Sequence, residues 1–212
     1  MAVTQQFAAG ESLTAAKLNT SSIPVVSSTA DIASPFTGHL VFNTTDTRLY
    51  RYSGTAWIVF TGGPTWALSR ITTQTYANNA WTTMNWTVEN VDTGNMHPTN
   101  GDTVTINQAG LYAINAKASF SGTVTTAGQR ACRLTINGTA DANAIDGSSV
   151  IQNAANAVNI TSAVPSPTVY IQLAVNDVIR AQAWQNSGTN PINNSVASIG
   201  DYPLFTGTWL RD

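Results

Sequence analysis

The chain predicts an all-β fold, a sandwich or jelly roll, and three observations carry that reading. First, apolar residues recur at period two. Tyr112, Ile114, Ala116, Ala118 and Phe120 fall on one face of an extended segment, and Leu111, Ala113, Asn115, Lys117 and Ser119 on the other. Second, the 212 residues include 31 Thr and 20 Asn but only two Lys and two Glu. β-branched Thr fits pleated strands and Asn fits turns, whereas exposed helices stabilised by Glu–Lys pairs have almost nothing to be built from. Third, Gly, Asn and Pro punctuate the chain at short intervals, the spacing of an all-β sandwich.

Taken in order, residues 1–30 are small and polar. One short helix is expected there, capped by Thr14 with Leu13 and Leu18 as a weak apolar face. Residues 31–63 read as a three-stranded β-meander: Leu40 to Asn43, Arg48 to Tyr52 and Trp57 to Phe60, with turns at Thr44 to Thr47 and Ser53 to Thr55. Three strands make a poor independent core, so this part is expected to pack on something else. Gly62-Gly63-Pro64 then acts as a hinge.

Residues 64–212 form the main domain. Cys132, Leu134 and Ile136 make a second inward set ended by Asn137-Gly138, a hairpin signal. Val169, Ile171, Leu173 and Val175 make a third, ended by Asn176-Asp177, and Ile179, Ala181 and Ala183 follow. Phe205, Gly207 and Trp209 lie on the last strand.

Charged residues are 9% of the chain and the formal net charge is -2, so no cluster of cations is present to neutralise nucleic-acid phosphates. No stretch approaches the ~20 apolar residues of a membrane-spanning helix. Met1 to Gly10 has neither the basic start nor the apolar run of a signal peptide, and synthesis in a cytoplasm without export is expected. The lone Cys132 reads as a small core residue.

Enzymatic chemistry finds few candidates. The two histidines, His39 and His97, are not accompanied by a nucleophile elbow. Glu89 and Asp92 lie in a polar stretch with nothing apolar to raise an acid's pKa. Asp141 to Gly147 has the wrong register for a calcium loop, with Ile145 at its fifth position. The expectation is a non-enzymatic protein with no metal and no cofactor. Aromatic residues beside Asn and Gln, at Trp81, Trp86, Trp184 and Tyr202, can stack on sugar rings, or fill a core or a subunit interface.

Three segments of the main domain carry a resemblance. Gly101 to Ile114 contains an extended strand, then Gly110, one residue, Tyr112 and an outgoing strand. Leu173 leads to Asn176-Asp177-Val178-Ile179, and the chain closes on Phe205-Thr206-Gly207-Thr208-Trp209-Leu210. From Trp66 onward the chain resembles the jelly roll of the complement globular-head and tumour-necrosis-factor superfamily. The second segment departs from that pattern in having Asn176 where Gly is usual. The resemblance implies a homotrimer, with Tyr112, Trp184 and Phe205 expected near its core or interface.

The front of the chain resembles something else. Phe7 to Asn19 is similar to the opening of tailed-bacteriophage virion proteins, notably of phages infecting actinobacteria, and Gly38 to Phe60 is similar to segments of phage tail and fibre proteins. This implies a structural protein of a virion, attached to another virion protein through residues 1–60 with its jelly roll projecting. The expected role is that of a minor tail or fibre protein in host adsorption; the alternative is a capsid decoration protein or head fibre. Host cell-surface glycan is the expected partner. Asn78, Trp81, Asn186 and Asn190 are the candidate contacts, on the loops Asn78 to Trp81, Asp141 to Ser149 and Gln185 to Asn194.

Overall fold

A computed structural model describes residues 23–59, 63–121, 128–154, 161–188, 192–193 and 202–211. The expected N-terminal helix lies outside them. The chain separates into two compact units, Met1–Gly62 and Gly63–Asp212. No helix among the described residues is long and apolar enough to cross a membrane.

The first unit holds β1 (Val25–Val26), β2 (Leu40–Asn43), β3 (Arg48–Tyr52) and β4 (Trp57–Val59). The sheet therefore has four strands where the sequence predicts three, because β1 adds parallel to the edge of β2. Two residues without an alternating pattern carry no strand signal, so only the pairing reveals them. The register sets Val41, Tyr50 and Val59 in one row and Phe42 beside Leu49 on the opposite face. Of the described side chains here, only the apolar Val41 is fully buried.

The second unit begins with β5 (Thr65–Ser69), β6 (Thr75–Tyr76), β7 (Thr82–Thr83), β8 (Val88–Asp92) and β9 (Val104–Thr105). Then come β10 (Gly110–Ser121), β11 (Gly128–Ile136), β12 (Val150–Ala154) and β13 (Thr161–Pro165). β14 (Val169–Leu173), β15 (Val178–Gln185), β16 (Ile192–Asn193) and β17 (Leu204–Arg211) complete it.

These strands form an eight-stranded sheet, centred on β10 and β17, and a five-stranded sheet, centred on β11 and β15. β10 pairs antiparallel with β14 and β17, while β11 pairs antiparallel with β12 and β15. The chain thus passes from one sheet to the other and back as it advances, which is the wrap of a jelly roll.

The period-two reading locates the core. Tyr112, Ile114, Ala116, Ala118 and Phe120 are all buried, and Cys132, Leu134, Ala181 and Ala183 face them from the other sheet. Trp66 packs against Tyr112 and Phe205 with ring centroids 6.0 and 5.6 Å apart, and Trp86 lies 5.6 Å from Phe205. Each such pair contributes about 0.5–1.5 kcal/mol beyond simple burial. The Tyr112 hydroxyl donates to the Gln108 carbonyl at 2.6 Å, which satisfies its one polar atom.

Two sequence expectations fail locally. Asn137-Gly138 does not close a tight hairpin: residues 137–149 run as a long loop through a short 3-10 turn at Asp141–Asn143 before β12 begins. Asn137 does adopt the left-handed conformation (φ 54°), and its side chain bonds Asp177 and Val178 of the adjacent turn. Val175 is 51% exposed, because β14 ends at Leu173 and the chain turns there toward the other sheet.

Candidate binding surface

On β11 and β15 the side chains facing the core are Cys132, Leu134, Ala181 and Ala183, so alternation turns Ala131, Arg133, Gln182 and Trp184 outward. Ala131 is paired with Trp184 and Arg133 with Gln182. A small residue opposite a large one leaves room for the indole to lie across the sheet. β7 adds to β15 beyond it, pairing Thr83 with Gln182, and this brings Trp81 alongside. The rings of Trp81 and Trp184 stand 6.3 Å apart at 42°.

Arg133 organises the cluster. Its Cζ lies 4.0 Å above the Trp81 ring, a cation–π stack. Nε donates to Gln182 Oε1 at 2.8 Å, Nη1 to Asp141 Oδ1 at 2.7 Å and Nη2 to the Thr139 carbonyl at 3.3 Å. Gln182 Nε2 donates in turn to Thr83 Oγ1 and the Thr139 carbonyl. The Arg133 side chain is 5% exposed while that of Asp141 is 86% exposed, so the pair is buried at one end only. A planar guanidinium held on three sides is a rigid support for an indole. The resulting surface is a pair of half-buried tryptophans resting on a buried arginine and a buried amide, with ring faces of the kind that stack on sugars.

The adjoining loops are tied down from within. Buried Gln185 donates from Nε2 to the Tyr76 carbonyl at 3.1 Å, and its Oε1 accepts from the Ser187 amide and hydroxyl. Asn78 Oδ1 accepts from the Gly188 N–H at 3.0 Å, and Asn186 Oδ1 from the Gln129 N–H at 3.0 Å. Two of the expected contact residues, Asn78 and Asn186, are therefore half-buried side chains that hold the loops in place. Asn190 lies outside the described residues.

Tyr112 and Phe205, expected near a core or subunit interface, are fully buried in the core of their own unit. Trp184 lies on the opposite side of the smaller sheet, beside Trp81. Trp86 is a core residue. Arg133 and Gln182 escaped the sequence reading, although an arginine inside the apolar run Ala131 to Leu134 of so weakly charged a chain was a usable signal.

The outer face of the larger sheet has a different character. Ala113 is paired with Tyr170 on one side and Thr208 on the other, and Thr206 lies between Asn115 and Ala67. Asn115 Oδ1 accepts from Thr206 Oγ1 at 2.8 Å, and Thr65 and Thr208 share a hydrogen bond of 2.9 Å. These polar groups bond within the plane, Lys117 of β10 shares the face, and Tyr170 stands 70% exposed from it.

The carboxylates considered for acid–base work are occupied internally. Asp92 accepts the main-chain N–H groups of Met96 and His97, and Glu89 Oε1 lies 2.8 Å from His97 Nδ1.

No family model matches the chain, and no curated protein matches it. Among solved structures, the globular domain of zebrafish complement 1qA protein is similar to it at TM-score 0.48 and 14% identity, over 70% of this chain and 99% of that one. Murine APRIL is similar at TM-score 0.49 and 15% identity, over 69% of this chain and 100% of that one.

Proposed function

We propose that this chain is a homotrimeric structural protein of a tailed-bacteriophage virion, attached to another virion protein through residues 1–60, and that its jelly roll binds host cell-surface glycan during adsorption as a minor tail or fibre protein. The observation that carries the binding role is the Trp81–Trp184 pair supported by Arg133. Aromatic platforms stack on sugar rings without need of net charge, and the weakly charged chain suits that mode. The virion setting rests on the similarity of Phe7 to Asn19 and Gly38 to Phe60 to phage virion and tail segments. Self-association is supported by the low outer face of the larger sheet, whose Asn115–Thr206 and Thr65–Thr208 pairs bond within the plane. Three heads on one axis would raise the effective concentration for each successive weak contact.

The test is binding of the purified protein to actinobacterial cell walls. Binding is expected to change little between low and moderate salt, since few charges are available to screen. W81A and W184A are each expected to weaken it at least tenfold without loss of the fold. Absence of binding, or a steep salt dependence, would sink the adsorption role, and raised stability of capsids carrying the protein would then mark it as a decoration protein.

A further inference from the structure

Asp141 opens the 3-10 turn Asp141–Asn143 in the long loop after β11, beside the tryptophan pair. Its side chain is 86% exposed, whereas that of its partner Arg133 is 5% exposed. Oδ1 accepts from Arg133 Nη1 at 2.7 Å, and Oδ2 has no hydrogen-bond partner among the described residues. The same guanidinium lies over Trp81, so one buried arginine positions both the indole and the carboxylate. Its Cζ stands 4.0 Å from the ring centre, and Nη1, one C–N bond of about 1.3 Å further on, donates over 2.7 Å. Oδ1 is therefore no more than about 8 Å from that centre. A sugar ring lying against the indoles can span that distance with a hydroxyl hydrogen bond to the carboxylate.

The chemistry at this edge is one-sided. An ionised carboxylate accepts hydrogen bonds and donates none. The arginine that could attract an anionic ligand is turned inward: it is buried, with Nε on Gln182, Nη1 on Asp141 and Nη2 on Thr139. Arg180 shares this face of β15 but lies four positions from Trp184, roughly 13 Å along the strand. It is on the far side of Gln182, which the Thr139 carbonyl covers. The exposed charge that Arg133 sets beside Trp81 is therefore negative. A sugar hydroxyl gives it a charge-assisted bond, whereas a second carboxylate or a phosphate meets repulsion. Resting on the glycan-binding role proposed for these tryptophans, we infer that their surface selects neutral sugars with free hydroxyl groups and turns away uronic acids and phosphorylated glycans, with Asp141 as the residue that reads the hydroxyl.

The experiment measures binding of the full-length protein, D141N and W184A to beads carrying glucose, mannose or galactose, and to matched beads carrying the corresponding uronic acids. Asparagine keeps an oxygen for Arg133 Nη1 and removes the charge, and so solvated an ion pair contributes little to stability, so D141N is expected to fold. The wild-type protein is expected to bind at least one neutral hexose about tenfold more tightly than its uronic acid, a ratio that narrows as salt is raised. D141N should bring that ratio to within about threefold, through weaker neutral and stronger uronate binding, while W184A weakens both. Hexose binding that W184A abolishes, with a hexose-to-uronate ratio that D141N leaves unchanged, would overturn the role of Asp141 and leave the tryptophan platform standing. Wild-type binding to the uronic acids as tight as to the hexoses would overturn the selectivity, whatever D141N does. Absence of binding to every bead would remove the platform and the selectivity with it.

Discussion

Gly207 lies directly across the strand pair from Trp66, and the indole folds over it so closely that a Cβ on Gly207 would fall 2.0 Å from Trp66 Cζ2. The glycine is there because the core needs its backbone bare. G207A must displace an indole that itself packs on Tyr112 and Phe205, and overpacking of this kind costs about 1–3 kcal/mol or more. Thermal unfolding should show G207A as strongly destabilised. Gly110, with φ 147° and a Cβ position 2.3 Å from Trp209 Nε1, should be as intolerant of alanine.

Cys132 is fully buried, and burial pushes its thiol from an ordinary value of 9.0 up to about 12. The native protein should therefore resist thiol reagents at mildly alkaline pH and become labelled only on unfolding. The folded state keeps the proton while the unfolded chain ionises, so the stability this site contributes is complete below about pH 9 and is lost as pH rises toward about 12. Denaturant titrations should give C132A a shallower alkaline decline than the wild-type protein. Burial also drives the Tyr76 phenol upward, so part of the decline will remain.

Arg133→Met removes the donors that serve Gln182 and Thr139 and the cation above Trp81. The solvated Asp141 end contributes little, so the loss is expected at about 1–3 kcal/mol, arising from the buried end. Tryptophan fluorescence should shift to the red as Trp81 loses its support. Wall binding should fall even at temperatures where the variant remains folded.

Ala113→Arg adds a bulky cation to the outer face of the larger sheet, between Tyr170 and Thr208, without touching the core. Light scattering should show the wild-type protein as a trimer at micromolar concentration and this variant as a folded monomer that melts lower for want of association. A wild-type protein that is monomeric at that concentration would remove the basis for an avid, trimeric head.

The strand content and the inward side chains of β10, β11 and β15 are legible in the amino-acid order, because period-two alternation is a local property of the pleat. It also marked Gly110, Tyr112, Phe205 and Gly207 as special without giving the reason. The reasons lie in contacts between distant parts of the chain. Trp66 and Gly207 are 141 positions apart, and no local pattern predicts that one needs the other bare. β1 became a strand because an open edge of β2 was available to it. Asn137-Gly138 has the chemistry of a tight turn, yet the strand paired with β11 beyond it begins only at Val150, and Asn137 serves a neighbouring turn instead. Arg133, Gln182, Trp81 and Trp184 come from three separate strands or loops. Hydrogen bonds and ring contacts between such residues depend on which strands become neighbours, and that is settled by the packing of two sheets.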